Sequence, residues 1–391
     1  MTYSIQTDDK LKYYVYFPQE GNGNINFHSD YHFYMTMSQL TDAETHLLMP
    51  ASQDTRNWYY VFSYTSSANG CWTIGTGDGD RLDDATFTGA DNQKWAFEDA
   101  GNGKIWILNK ASGKWLYRSN ELYYAHHPIR QAGDHDGSEH LFQFKQRTDK
   151  PVSMPAVTGA KVTDPNQLYT TTLLGTPPNP TSLNDNTPPP LAKVLIGETL
   201  LPFFNVSVDP EVVGDRRDWQ VKNRPYYRYR REQQYQATGS HSIPAGGTGT
   251  FTHSSSWGIE QTTATSVVEH SGFTFGFNSS HSATMGMKGV SATASRGFSM
   301  QWTHDVTTTI SESQTESQSG TVTETLELTG STTGLLYMAW QVMDIWTVFY
   351  GANVEPYTWS VPRDSVLSKW YPPAATLRVS ESVQMAQAAC G

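Results

Sequence analysis

Residues 271–303 read SGFTFGFNSSHSATMGMKGVSATASRGFSMQWT, and the reading of the fold turns on how this stretch alternates. Outward from Lys288-Gly289, every second residue falls in one class. Met287, Met285, Ala283, Phe277, Phe275 and Phe273 form one arm, and Val290, Ala292, Ala294, Phe298, Met300 and Trp302 form the other. Between them stand Gly286, Thr284, Ser282, Ser280, Asn278, Gly276 and Thr274, answered by Ser291, Thr293, Ser295, Gly297, Ser299 and Gln301. A period of two puts the two sets on opposite faces of a strand. A two-residue loop with Gly second suits a hairpin turn. The expected register therefore pairs Met287 with Val290, Met285 with Ala292, Ala283 with Ala294 and Phe277 with Met300.

The polar face carries Ser, Thr, Gly and Asn, with Lys288 only at the tip, where a solvated strand would be rich in Glu, Lys and Arg. A membrane-crossing strand takes about 9–11 residues, apolar toward lipid and polar toward a lumen. Phe277 to Met287 and Val290 to Met300 supply two such arms. On this reading the twelve apolar positions face lipid, and Asn278, Ser280, Ser282, Thr284, Ser291, Thr293, Ser295 and Ser299 face the lumen. Ser279, His281 and Arg296 on the apolar side run against it, and a hairpin of a soluble β-sandwich is the alternative.

Composition sets the outer bounds. A chain of 391 residues is long enough for two domains, or one domain with an elongated appendage. Charged residues at 17%, with 13% aromatics including 12 Trp and 21 Tyr, point to a β-rich protein that contacts sugars or interfaces. A formal charge of −11 argues against nucleic acid as a partner. Cys71 and Cys390 lie too far apart in sequence to form a disulfide framework and are expected as free thiols. No apolar run of helix-spanning length occurs, so membrane insertion would use strands. Met1 to Lys12 shows no basic segment followed by an apolar run, hence no visible signal peptide.

Residues 1–148 carry an internal threefold. Leu48, Trp95 and Phe142 follow one another at intervals of 47 residues, and Gly23-Asn24-Ile25, Gly70-Cys71-Trp72 and Gly113-Lys114-Trp115 give a second marker. Repeats of this length share one core, and these resemble the ricin-type β-trefoil lectin, whose repeats close on Gln-x-Trp. Asn92-Gln93-Lys94-Trp95 keeps that signature. The resemblance implies sugar binding at Asn92 and Gln93, although Thr73 stands near the place of the expected Asp. Asn26, His28, Asp30 and Tyr31 are the candidates of repeat one. Those of repeat three are Tyr123, Tyr124, His126, Asp134 and Asp136, with Glu139 nearby. The His and Asp residues from His126 to His140 lack the helical His spacing or clustered Cys of a zinc site, and no metal or cofactor is expected.

Residues 149–193 form a Pro-rich connector, with Pro177-Pro178-Asn179-Pro180 and Pro188-Pro189-Pro190 as stiff polyproline portions. From Val194 the chain is rich in Ser and Thr. Strands are expected over Arg224–Tyr235, Thr250–Ile259, Thr262–Phe277, Met300–Ser313, Gly320–Leu328 and Leu335–Tyr350. The basic run Arg216 to Arg231 reads as an exposed strand face.

In the tail, Leu195-Ile196-Gly197-Glu198-Thr199-Leu200-Leu201-Pro202, Asn223-Arg224-Pro225-Tyr226-Tyr227, Trp257-Gly258-Ile259-Glu260-Gln261-Thr262-Thr263 and His270-Ser271-Gly272-Phe273 resemble the Toxin_10 (Tpp) family of bacterial insecticidal proteins. The resemblance implies an all-β chain, with a β-trefoil head over 1–148 and an aerolysin-like pore-forming tail over 194–391 containing the hairpin 273–302. It further implies a protein stored in sporulation inclusions that binds glycans or glycolipids on gut cells. There it would form a homo-oligomer, with or without a second toxin protein, and insert one hairpin per subunit. A lectin or receptor-binding component without pore activity is the alternative. A glycoside hydrolase would need paired carboxylates in a cleft, which the tail does not offer, and no Gly-x-Ser-x-Gly elbow or His-Glu-x-x-His helix is present.

Overall fold

A computed structural model describes residues 11–17, 23–27, 33–36, 45–53, 55–63, 70–123, 126–151, 174–185, 188–258, 266, 273–277, 283–287, 319–329, 332–373 and 382–387. The chain is all-β, and strands dominate the described residues. Twelve strands build the head: β1 (Leu11–Phe17), β2 (Gly23–Phe27), β3 (Phe33–Thr36), β4 (Thr45–Gln53), β5 (Asn57–Ser63), β6 (Cys71–Thr73), β7 (Asp83–Ala85), β8 (Trp95–Gly101), β9 (Lys104–Asn109), β10 (Trp115–Arg118), β11 (His127–Ala132) and β12 (Gln143–Pro151).

The pairing repeats three times. Strand β1 pairs β4 and β12, β5 pairs β8 and β4, and β9 pairs β8, with an Ile105–Phe142 bridge to the start of β12. Those six strands close a barrel, and β2–β3, β6–β7 and β10–β11 are the hairpins that cap it. This is a β-trefoil. Its interior is filled by Leu48, Val61, Trp72, Trp95, Ile107, Leu116, Ile129 and Phe142, so the three residues spaced by 47 positions all meet in one core.

The tail holds longer strands. A four-stranded antiparallel sheet runs β13 (Val194–Pro202), β14 (Tyr226–Ile243), β19 (Leu335–Phe349), β20 (Tyr357–Tyr371). A second runs β15 (Thr248–Gly258), β18 (Ser319–Thr329), β21 (Ser382–Gln387), and β16 (Phe273–Phe277) pairs β17 (Ala283–Met287) in a third. Strand β14 packs its tyrosines inward, where Tyr229 stacks on Trp346 and Trp359 at ring distances of 5.3 and 5.9 Å.

The basic run departs from expectation. Arg216–Asn223 is a helix, α1, because the Asp215 carboxylate accepts the Asp218 amide at 3.0 Å and caps its first turn. Arg231 is not on an exposed face either: its side chain is 0% exposed. Asp344 Oδ1 accepts Arg231 Nη2 at 2.6 Å and Gln233 Nε2 at 2.7 Å, while Oδ2 accepts Arg363 Nε at 2.8 Å. A cation buried this deeply persists only when paired. Of the strand expected over Thr262–Phe277, Phe273–Phe277 is strand and Ser266 is helical, and the rest lies outside the described residues.

Head and tail share one apolar cluster. Leu47, Met49, Tyr60 and Phe62 on the outer side of β4 and β5 meet Phe203, Val206, Val221 and Tyr226 of the tail. Phe62 lies edge-on to Phe203 at 4.8 Å, and Phe204 contacts Phe87 at 4.5 Å. The Arg217 guanidinium sits 5.8 Å from the Phe87 ring and is pushed down in pKa by its burial. Trp58 to Phe62 therefore form an unbroken buried run, with Tyr59 and Val61 inside the barrel, Tyr60 and Phe62 against the tail and Trp58 in the same outer cluster.

Candidate functional site

In the second lobe, a 3-10 turn over Asp91–Gln93 sets the candidate residues. Gln93 is 2% exposed and acts as a peg within the fold. Its Oε1 accepts Thr88 N at 2.8 Å and Gly89 N at 3.2 Å, and its Nε2 donates to Thr86 O at 2.8 Å. Trp95 is fully buried and donates Nε1 to Trp72 O at 3.3 Å. Of this signature only Asn92 reaches outward. It donates Nδ2 to Thr73 Oγ1 at 3.1 Å, and Thr73 pairs with Asp83 across β6 and β7. Asn92, Thr73 and Asp83 thus share one half-buried patch, with Thr73 in contact with Asn92 near the place where the lectin pattern expects an Asp.

The third lobe repeats the turn with other residues. Ser138–His140 is its 3-10 turn, so His140 takes the place of Gln93 and Glu139 that of Asn92. His140 is buried, with Nδ1 at 3.1 Å from Leu116 O, and burial lowers its pKa. Tyr123 is 39% exposed and exchanges backbone hydrogen bonds with His126 at 2.8 and 2.9 Å. The Arg81 guanidinium lies 4.7 Å from the Tyr123 ring, a cation–π contact that sequence spacing gave no means to foresee. The Arg81 backbone also pairs antiparallel with that of Arg130, whose Nη1 donates to Gly79 O at 2.6 Å and whose Nη2 pairs Glu121 at 2.7 Å. Tyr123 and His126 therefore sit together on the seam between lobes two and three. Asp134 and Asp136 are exposed beyond the other end of β11, where His135 packs on Trp115 at 4.3 Å.

Asn26 lies in β2 opposite Tyr34. His28, Asp30, Tyr31 and Tyr124 fall outside the described residues. Among the described residues, no three His, Cys, Asp or Glu side chains gather where they could hold a metal ion.

The hairpin register differs from the expected one. Phe273 is opposite Met287, Phe275 opposite Met285 and Phe277 opposite Ala283, so the stretch expected as one arm folds back on itself between Phe277 and Ala283, while Lys288-Gly289 lies outside the described residues. Asn278-Ser279-Ser280-His281-Ser282 holds no apolar residue and is rich in turn formers, and the apolar alternation fails there at Ser279 and His281. The expected pairings of Met285 with Ala292, Ala283 with Ala294 and Met287 with Val290 involve residues outside those described. The new register still sets the alternate apolar positions of the two strands in step. Val290, Ala292, Ala294, Phe298, Met300 and Trp302, with Asn278, Ser280, Ser282, Ser291, Thr293, Ser295 and Ser299, lie outside the described residues. Of the expected lumen-facing set, Thr284 is in β17, opposite Gly276.

The neighbouring sheet is polar on its exposed side. Ser254 Oγ and Thr323 Oγ1 lie 2.9 Å apart across β15 and β18. Its other side faces β14: Phe251 stacks with His241 at 5.1 Å and with His253 at 5.8 Å. The His253 ring fills the space left by Gly239, where a Cβ would stand 2.7 Å from Nδ1, and its Nε2 is 3.0 Å from Thr238 Oγ1. Burial lowers the His253 pKa.

Comparison with known proteins bears on both halves. The family model described as Insecticidal Crystal Toxin, P42 (Toxin_10) matches residues 194–370. The crystal structure of Cry35Ab1 superposes with a TM-score of 0.64 at 15% identity, covering 94% of this chain and 91% of that one. A mosquitocidal holotoxin matches over 37% of this chain and 18% of its own, at 14% identity and a TM-score of 0.33. The β-trefoil protein BEL matches over 38% of this chain and 100% of its own, at 13% identity and a TM-score of 0.31. No curated protein matches the sequence. The architecture is that of a trefoil head on an aerolysin-like β tail.

Proposed function

From a chain whose residues 194–370 belong to the Toxin_10 insecticidal crystal toxin family, we propose that the protein permeabilises target-cell membranes. The trefoil head binds glycans or glycolipids on the cell surface, copies of the chain assemble, and each contributes the β16–β17 region to a shared transmembrane barrel. The carrying observation is the alternation of apolar and small polar residues over 273–302, of which β16 and β17, with Phe273, Phe275 and Phe277 opposite Met287, Met285 and Ala283, are the described part. An alternating apolar and small-polar hairpin suits a barrel wall between lipid and water. One hairpin leaves its edges unpaired in lipid, so the wall requires several copies.

On the head, the contacts are assigned to the Asn92–Thr73–Asp83 patch and to the Tyr123–His126 seam, where an exposed ring is available for stacking on a sugar face. No chemical step is assigned to any residue, and the chain acts as a toxin by binding and insertion. Storage in inclusions before release is part of the same proposal. Release of an encapsulated dye from vesicles carrying gut-cell glycolipids is the test. Leakage that depends on the glycolipid is expected. Binding without leakage would leave the protein a lectin or the receptor-binding component of a two-protein toxin.

A further inference from the structure

The connector is seated on the tail sheet. Leu174, Leu183 and Leu191 pack against Tyr235, Leu336, Met338, Trp340 and Val342 on one face of β14 and β19. Between the first two, burial recurs every third residue: Pro177 and Pro180 are buried, while residues 175, 176, 178, 179 and 181 are exposed. Three residues per turn is the period of a polyproline II helix, so Leu174, Pro177 and Pro180 present one edge of such a helix to the sheet. Asp185 ends the run, its Oδ2 accepting Thr181 N at 2.6 Å and Ser182 N at 3.1 Å in a turn that brings Leu183 down.

The face beneath has the features of a polyproline-binding groove. Such grooves are lined by aromatic rings, and polar donors on those rings reach the ligand carbonyls. Tyr235 donates its hydroxyl to Gly175 O at 2.8 Å, and Tyr235 O accepts Leu191 N at 3.0 Å. Trp340 is 1% exposed, and its Nε1 has no acceptor among the described residues.

We propose that this face is a recognition site for proline-rich segments, occupied in the closed chain by residues 174–191 as a releasable latch. When the latch lifts, the site takes the same segment of a second copy. The site is complementary to the segment wherever that segment comes from, and the hydrogen bonds to the Gly175 and Tyr235 carbonyls with a few apolar side chains make a weak hold. A lifted latch uncovers contiguous Leu, Met, Trp and Val, a surface that drives association. Exchange of an identical element between copies is a low-barrier route to assembly.

The test needs no membrane and stands apart from leakage. In the full chain, Pro177→Asp with Pro180→Asp lifts the latch and leaves the groove empty. A labelled synthetic peptide with the sequence of residues 174–191 is expected to bind this variant at least about tenfold more tightly than the parent, whose own latch competes for the site. Mixed with the parent chain, the variant is expected to take up the parent's segment and form a complex of one copy of each, seen by light scattering. Equal or absent peptide binding by both chains, with near-ultraviolet circular dichroism unchanged, would overturn the proposal. Should the double variant not fold, Tyr235→Phe removes only the hydroxyl on Gly175. Hydrogen exchange is then expected to quicken over residues 174–191 and not in β19, and an unchanged rate overturns the latch.

Discussion

Asp344 is the residue on which the centre of the tail depends. It holds Arg231, Gln233 and Arg363 at once, and Arg231 has no exposed surface of its own. Replacing Asp344 by Ala leaves that guanidinium buried without its carboxylate, which costs about 3–5 kcal/mol. Urea denaturation is expected to show that loss at neutral pH. His253 gives a second forecast. Its folded pKa lies below the unfolded value of about 6.5, because burial disfavours the charged ring. Its contribution is complete above that unfolded value. As pH falls below it, the unfolded chain takes up a proton that the folded chain resists, and stability declines until the lowered folded pKa is passed. His140 adds to the same acid slope. His253→Gln is expected to flatten part of the decline in a melting series from pH 7 to 5, and an unchanged slope contradicts the assignment.

At the scale of elements, the hairpin register is open to a covalent test. With Phe275 opposite Met285, Phe275→Cys with Met285→Cys is expected to oxidise readily in the soluble protein. A pair that stays reduced under oxidising conditions would contradict this register. The alternation of apolar positions was readable from the sequence because period two needs no partner. The reversal between Phe277 and Ala283 was not, because Asn-Ser-Ser is turn chemistry that local preference does not rank against Lys-Gly. Long buried strands such as Leu335–Phe349 were legible from their β-branched and aromatic content. Helix α1 was missed because eight residues rich in charge show no apolar period, and only Asp215 marked its start.

For the whole molecule, the aromatic cluster between head and tail makes the two halves one body. The uninterrupted apolar run from Trp58 to Phe62 was a sign that both faces of β5 are covered, but what covers the outer face lay more than a hundred residues away, at Phe203 and Phe204. The threefold spacing and the Gln-x-Trp signature disclosed the trefoil. Its candidate sugar contacts were only partly legible, since Gln93 proved internal while Arg81 reached Tyr123 from another lobe. Phe62→Ala is expected to cost about 3–5 kcal/mol and to lower a single calorimetric transition shared by head and tail. Two separate transitions in the parent protein would show that the halves are not coupled.

The central claim, that alternate positions of this hairpin meet lipid and water, is tested most directly by charge at adjacent residues. Met285→Asp and Thr284→Asp differ by one position in β17, which alternation places on opposite faces. A lipid-facing carboxylate in every subunit opposes insertion, whereas one in an aqueous lumen is tolerated and favours cations. Dye release from glycolipid vesicles is expected to persist for Thr284→Asp and to vanish for Met285→Asp. Release by Met285→Asp at the level of the parent protein, with Thr284→Asp silent, would contradict the account.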